Sequence, residues 1–239
     1  MTDIPPALLD VSLQQIRAGW ADRLEVDLSS LEKTSLTLIP RESSYGITAL
    51  KFFDSIVAIC QPALLHLLSP LSPDDFFDMP LLLKSLSAYK VNPIGIASIA
   101  YADLGTLKKS THFGITRDGN IPEVESILSA CTEEEQEESG VATMPAIFIA
   151  ESLAGEPGAV ASYEIWNSKI AQLGVLAKPE YRSQGLASSA AHAAAQNALS
   201  LRLIPQWRCR LGNSSSERLS QRLGFHKVGL QLAIDVLPS

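Results

Sequence analysis

The chain has 239 residues, enough for one large domain or two small ones, and its 46% hydrophobic and 19% charged content excludes a disordered, collagen-like or coiled-coil protein. Nineteen Lys and Arg against 26 Asp and Glu leave a net charge of −7, so no overall positive field draws it toward nucleic acid or an anionic membrane. Cys60, Cys131 and Cys209 form neither a CxxC pair nor a Cys/His cluster, so reduced thiols are expected, with no metal site and no disulfide framework.

The opening Met1-Thr-Asp-Ile-Pro-Pro lacks a basic region followed by an apolar stretch, so no signal peptide is expected. The most apolar stretch, Ile56 to Leu68, is interrupted by Gln61, Pro62 and His66 and falls short of the roughly 18–20 residues a membrane span needs. The expectation is a soluble, cytoplasmic protein. Leu36 to Ile39 and Ser55 to Cys60 are short and rich in branched residues, which predicts strands. Helices are expected over Pro62 to Leu68 and Asp74 to Tyr89, the second disturbed at Pro80. Ile94 to Tyr101 predicts another strand. This half carries no chemical motif.

From Asn120 the signals sharpen. Asn120 and Glu123 are spaced as a capping box, Pro122 suits a first turn, and Ile121, Val124, Ile127, Leu128 and Cys131 repeat at helical spacing. One helix ending at Gly140 is expected. The acidic run Glu133 to Glu138 then falls near its C-terminus, against the macrodipole, where fraying is expected. The run reads as a solvated face; gathering a cationic substrate is the alternative. Strands follow at Ala146 to Ser152, Ala159 to Asn167 and Lys169 to Ala177, joined by short turns. An alanine-rich helix from Ser188 to Leu199, a strand from Pro205 to Leu211, a helix from Ser214 to Leu223 and a strand from Val228 to Val236 complete the order β-β-β-α-β-α-β. Antiparallel hairpins with one helical crossover make an α+β domain.

The segment Arg182-Ser-Gln-Gly-Leu-Ala187 links a strand to the long helix. Gly185 lets the backbone approach a ligand, and the free N–H groups of the loop and helix start make an anion pocket suited to a pyrophosphate. A Walker lysine and a GxGxxG motif are both absent. Val175-Leu-Ala-Lys-Pro-Glu-Tyr-Arg-Ser-Gln-Gly-Leu-Ala187 resembles motif A of the GNAT N-acetyltransferases, R/Q-x-x-G-x-G/A after a strand. Asn213-Ser-Ser-Ser216, Leu219 and Leu223-Gly-Phe225 resemble the later motif B. The resemblance covers about Ala146 to Val236 and implies a GNAT-like fold: a mixed, mostly antiparallel central sheet flanked by helices. Residues 111–239 would form the acyl-CoA-binding catalytic domain, and residues 1–110 an N-terminal α/β extension on the acceptor side or a divergent second lobe.

The resemblance further implies acetyl-CoA as co-substrate and a small amine as acceptor; the cysteine spacing, charge and hydropathy above leave no metal, nucleic acid or membrane partner expected, and a homodimer stays open. The backbone of Val175, Leu176 and Ala177 would pair with the pantetheine arm, and their N–H groups would polarise the thioester carbonyl. Arg182 and the stretch Ser183, Gln184, Gly185, Leu186, Ala187 and Ser188 would form the pyrophosphate loop. Asn213 would contact the pantetheine arm or fix the following loop; as a helix cap it serves structure equally. Family members often place a tyrosine acid seven residues after this asparagine, where this chain has Ser220. Glu164, in Tyr163-Glu-Ile-Trp166, is the leading general base, an outward-facing strand carboxylate being its structural alternative; Glu151 is a weaker competitor. Strand alternation sends Gln206, Arg208 and Arg210 to one face and Trp207, Cys209 and Leu211 to the other. Arg208 and Arg210 would bind an anionic acceptor or pair with surface acids, and His192 reads as a packed or solvent-facing imidazole. The function implied is acetyl transfer to a small primary amine by direct attack in a ternary complex. The alternatives are a longer acyl donor and a non-catalytic acyl-CoA-binding regulatory module.

Overall fold

The computed structural model describes residues 7–108 and 116–237. The first six residues, read above for a signal, and the expected domain boundary at 110/111 lie outside the described residues. In chain order the elements are α1 (Asp10–Leu24), β1 (Leu36–Pro40), β2 (Gly46–Phe52), β3 (Ser55–Cys60), α2 (Leu65–Leu68), α3 (Met79–Ser85), β4 (Val91–Tyr101), β5 (Thr116–Asp118) and α4 (Ile121–Leu128). They continue with α5 (Glu133–Ser139), β6 (Ala146–Glu151), β7 (Pro157–Trp166), β8 (Ile170–Ala177), α6 (Leu186–Ser200), β9 (Ile204–Arg210), α7 (Ser214–Arg222) and β10 (His226–Val236). The mixed α+β class expected from the sequence is the one observed. Among the described residues no helix is long and apolar enough to cross a membrane.

The chain divides into two compact units. One comprises residues 20–99, 210–212 and 227–239. In it β1 pairs parallel with β3, and β2 pairs antiparallel with β3 and β10. Every residue of β3 is buried, as a continuous apolar run requires. Its core gathers Ile47, Ala58, Leu64, Leu68, Phe76, Leu82 and Ile234. The helix expected over Asp74 to Tyr89 is interrupted: a 3-10 turn over Asp75–Phe77 ends at Asp78, whose side chain then caps α3 through the Leu81 N–H. Pro80 starts the new helix instead of disturbing an old one, because its missing N–H costs nothing in a first turn.

The second unit comprises residues 1–19, 100–209 and 213–226. Its sheet runs β5, β6, β7, β8, β9, antiparallel except for the β8–β9 pair. The β7–β8 turn holds Asn167 and Ser168 at φ +48 and +55, the two-residue left-handed turn that matches hairpin twist. Helix α6 packs on one face: Ala190, Ala191, Ala194, Ala195 and Ala198 are all fully buried against Ala159, Ala161, Tyr163, Ala171 and Leu173. Alanines let the helix lie close to the sheet, and the Tyr163 hydroxyl finds Asn197 Oδ1 at 2.6 Å. On the other face Val124, Ile127 and Val141 pack with Ile149, Val160 and Leu176.

The single helix expected from Asn120 to Gly140 is two. The capping box of Asn120 and Glu123 starts α4, and a second box, Thr132 with Glu135, starts α5. Glu133, Glu134 and Glu135 therefore occupy a first turn, where acids complement the macrodipole, so the fraying expected of a C-terminal acidic run has no basis.

Candidate functional site

Strands β8 and β9 are paired in parallel from Ile170↔Ile204 to Leu173↔Trp207. Beyond that rung β8 continues to Ala177 and β9 to Arg210, but the shared register stops. Residues 174–177 keep β7 as neighbour through Ser162↔Gly174 to Ala159↔Ala177. The edge of β8 that faced β9 is thus presented along Val175, Leu176 and Ala177. Leu176 is buried in the core beside α4, while Val175 and Ala177 pack toward α6. The Ala177 carbonyl already accepts from Arg182 Nε at 3.2 Å and from Cys131 Sγ at 3.5 Å.

After β8 the chain makes a 3-10 turn over Pro179–Tyr181 and then the loop to α6. Ser183 stands at φ +63 and Gly185 at φ +86, two left-handed residues in a three-residue stretch. Such alternation turns successive N–H groups to one side, and Gly185 supplies it without the clash of a Cβ. Gly185 caps α6 with no side-chain hydrogen bond, and the first i→i−4 bond runs from Ser189 N–H to Gly185 O. The N–H groups of Leu186, Ala187 and Ser188 precede that bond and have no acceptor within the helix. N–H groups at a helix start favour an anion on general grounds. Ser183 and Gln184 are exposed, the latter donating to Glu180 O; the side chains of Leu186 and Ser188 are buried, and that of Ala187 is partly so.

Arg182 is engaged within the protein. Its guanidinium pairs with Glu135 at 2.8 Å and lies 3.9 Å from Cys131 Sγ, tying the loop to α5. This hydrogen bond, followed by the Thr132 N–H, holds the Glu135 carboxyl below its ordinary range. Burial, then Glu135, pushes the Cys131 thiol up. Asn213 Oδ1 accepts from Ser216 N–H at 3.1 Å and so caps α7. Ser216 Oγ in turn receives the Trp207 indole N–H. Ser220 is buried, and its hydroxyl donates to Glu217 O.

Glu164 is exposed on β7, with Oε1 held at 2.6 Å by the indole N–H of Trp166. The Arg208 guanidinium lies 5.9 Å from the centre of that indole. Glu151 ends β6 opposite Pro157, away from Glu164, and is paired with Arg117, which also binds Glu123. Arg210 belongs to the other unit. His192 is half-buried in α6, and burial lowers its pKa. Across the sheet from Glu164 stands Gln172, and across from Gln172 stands Gln206. Both amides are buried, and Gln206 also receives the Tyr101 hydroxyl. Sequence reading missed this polar row; the signal was a glutamine inside each of two otherwise apolar strand segments.

Residues 155–230 match the family model described as GNAT acetyltransferase. No curated protein sequence is significantly similar to the chain. Among solved structures, a protein described as an acetyltransferase of the GNAT family from Novosphingobium aromaticivorans is 20% identical over 62% of this chain and 68% of its own, with a TM-score of 0.48. A GCN5-related N-acetyltransferase from Kribbella flavida is 17% identical over 67% of this chain and 65% of its own, with a TM-score of 0.49. A structural-genomics protein from Drosophila is 13% identical over 94% of this chain and 88% of its own, with a TM-score of 0.50. At 13% identity the likeness to the Drosophila protein concerns the fold alone, and it extends across most of the chain.

Proposed function

We propose that the chain, whose residues 155–230 match the GNAT acetyltransferase family model, is an acyltransferase of that superfamily and moves the acetyl group of acetyl-CoA onto a primary amine of a small molecule. The observation that carries the reading is the parting of β8 from β9 after Leu173↔Trp207, beside a helix start whose first three N–H groups have no acceptor within the helix. A diphosphate suits the N–H groups of Ser183 to Ser188 because helix starts favour anions. A pantetheine arm, which carries amides of its own, suits the backbone edge of Val175 to Ala177, where the pairing with β9 has ended.

In this reading the amine attacks the thioester carbonyl directly in a ternary complex. Glu164 takes the amine proton, through its carboxylate or one water, and the tetrahedral oxyanion is stabilised by main-chain N–H groups of β8. The C–S bond then breaks and the thiolate leaves. Ser220 points into its own helix, so water supplies the proton that the departing thiolate takes up. Arg182 acts by anchoring the loop, and Asn213 by fixing the start of α7.

The orientation of Ser220 also favours a second reading, a non-catalytic acyl-CoA-binding module. One experiment separates them. Purified protein is offered acetyl-CoA and a panel of small amines, with release of the CoA thiol followed. Amine-dependent thiol release supports transfer; donor binding with no release from any amine supports the second reading. Repeating the assay with longer acyl-CoAs tests the acetyl assignment.

A further inference from the structure

Three buried polar side chains lie in one row at the point where β8 and β9 part. Tyr101 and Gln206 are 0% exposed and Gln172 is 4% exposed. The Tyr101 hydroxyl donates to Gln206 Oε1, Gln206 Nε2 donates to Gln172 Oε1, and Gln172 Nε2 donates to Leu173 O at 2.9 Å. The direction of the row is set from its end. A peptide carbonyl only accepts, so Gln172 must turn its nitrogen to Leu173 O and its oxygen toward Gln206. Gln206 must then donate to Gln172 and accept from Tyr101. Flipping either amide would set donor against donor or acceptor against acceptor.

The row is an unusual choice for stability alone. Buried amides gain little over apolar side chains of the same shape, and replacing both partners together is often neutral. What a directional row adds is position. Leu173 is the last β8 residue paired with β9, and the next four residues form the edge presented after the strands separate.

We propose that Tyr101, Gln206 and Gln172 are positioning residues for acyl transfer: their hydrogen bonds clamp the last shared rung of β8 and β9 and so fix the path on which residues 174–177 leave it. The inference rests on the reading of Val175 to Ala177 as the donor-binding edge. The three side chains act through the backbone of Leu173.

The test compares Gln206→Met with the triple variant Tyr101→Phe/Gln172→Met/Gln206→Met, with Tyr101→Phe alone as a milder probe. Thermal midpoint, CoA dissociation constant, kcat and KM for acetyl-CoA are measured, together with amide hydrogen exchange over residues 173–177. Gln206→Met is expected to lower kcat about tenfold to a hundredfold, the loss that a small misplacement of reacting groups produces, with KM and CoA affinity within about twofold. The triple variant, now an apolar row, is expected to regain the thermal midpoint but neither kcat nor the slow exchange of residues 174–177. Recovery of kcat and exchange along with the midpoint would overturn the proposal, as would wild-type kcat and exchange in Gln206→Met. If the wild-type protein turned over no amine, the acyl-transfer reading would fall, while the exchange measurement would still decide the clamp.

Discussion

Gly185→Val tests the loop at its most constrained residue. Gly185 stands at φ +86 and ψ −4, where a side chain strains the backbone. If the loop keeps its shape, the left-handed conformation costs about 1–2 kcal/mol. For a chain of this length each kcal/mol lowers the melting midpoint by about 2–4 °C, so a fall of about 2–8 °C is expected. If instead residue 185 relaxes to negative φ, the N–H groups of Leu186 to Ser188 lose their common aim. One charge-assisted hydrogen bond contributes about 1.5–3 kcal/mol, and its loss weakens binding by about tenfold to a hundredfold. Thermal melts without ligand and calorimetric titration with CoA read the two effects separately, with Gly185→Ala as the smaller perturbation. A Val variant that melts with the wild type and binds CoA with unchanged affinity would refute both the strain and the anion role.

Glu164→Gln keeps the hydrogen bond from Trp166 possible but removes the proposed base; kcat is expected to fall by about a hundredfold or more at constant donor affinity, and a loss below threefold would remove Glu164 from the mechanism. Gly174→Ala would place a methyl 2.1 Å from the Ser139 carbonyl oxygen, a backbone atom that cannot swing away, so a loss of about 1–3 kcal/mol is expected in urea unfolding; an unchanged midpoint would show that α5 is free to shift. Glu135, whose carboxyl is held below its ordinary value of 4.5 by Arg182, contributes stability that is fully present above that value and lost as pH falls through the depressed folded value. Both partners are partly exposed, so the contribution is no more than about 1 kcal/mol. Wild type and Glu135→Gln should therefore differ in urea midpoint at pH 7 and converge in acid; a difference that persists at low pH would show another cause.

Local chemistry was legible where a residue type and its spacing decide the outcome. Asn120 and Glu123 mark a helix start, Asn213 caps α7, Gly224 follows its end at φ +88, and the alanines of α6 lie against the sheet. The acidic run misled because its glutamates were read as the tail of one helix, although Thr132 and Glu135 repeat the capping-box spacing twelve residues after Asn120 and Glu123. Helix α1 and strand β2 escaped notice altogether. The first buries Ile16, Trp20 and Leu24 at four-residue spacing among polar neighbours, and the second mixes Thr48 and Lys51 into a strand covered on both sides. The row of Tyr101, Gln206 and Gln172 depends on register between strands distant in sequence. Alternation along one strand assigns a face, but not the partner that a side chain meets across the sheet.

The most direct measurement is a titration of isotope-labelled protein with CoA, read residue by residue through backbone amide resonances. The largest changes should fall on Ser183 to Ser188 and on Val175 to Ala177, saturating together with a single affinity. Saturation by CoA that shifts resonances elsewhere and leaves these nine amides in place would contradict the account.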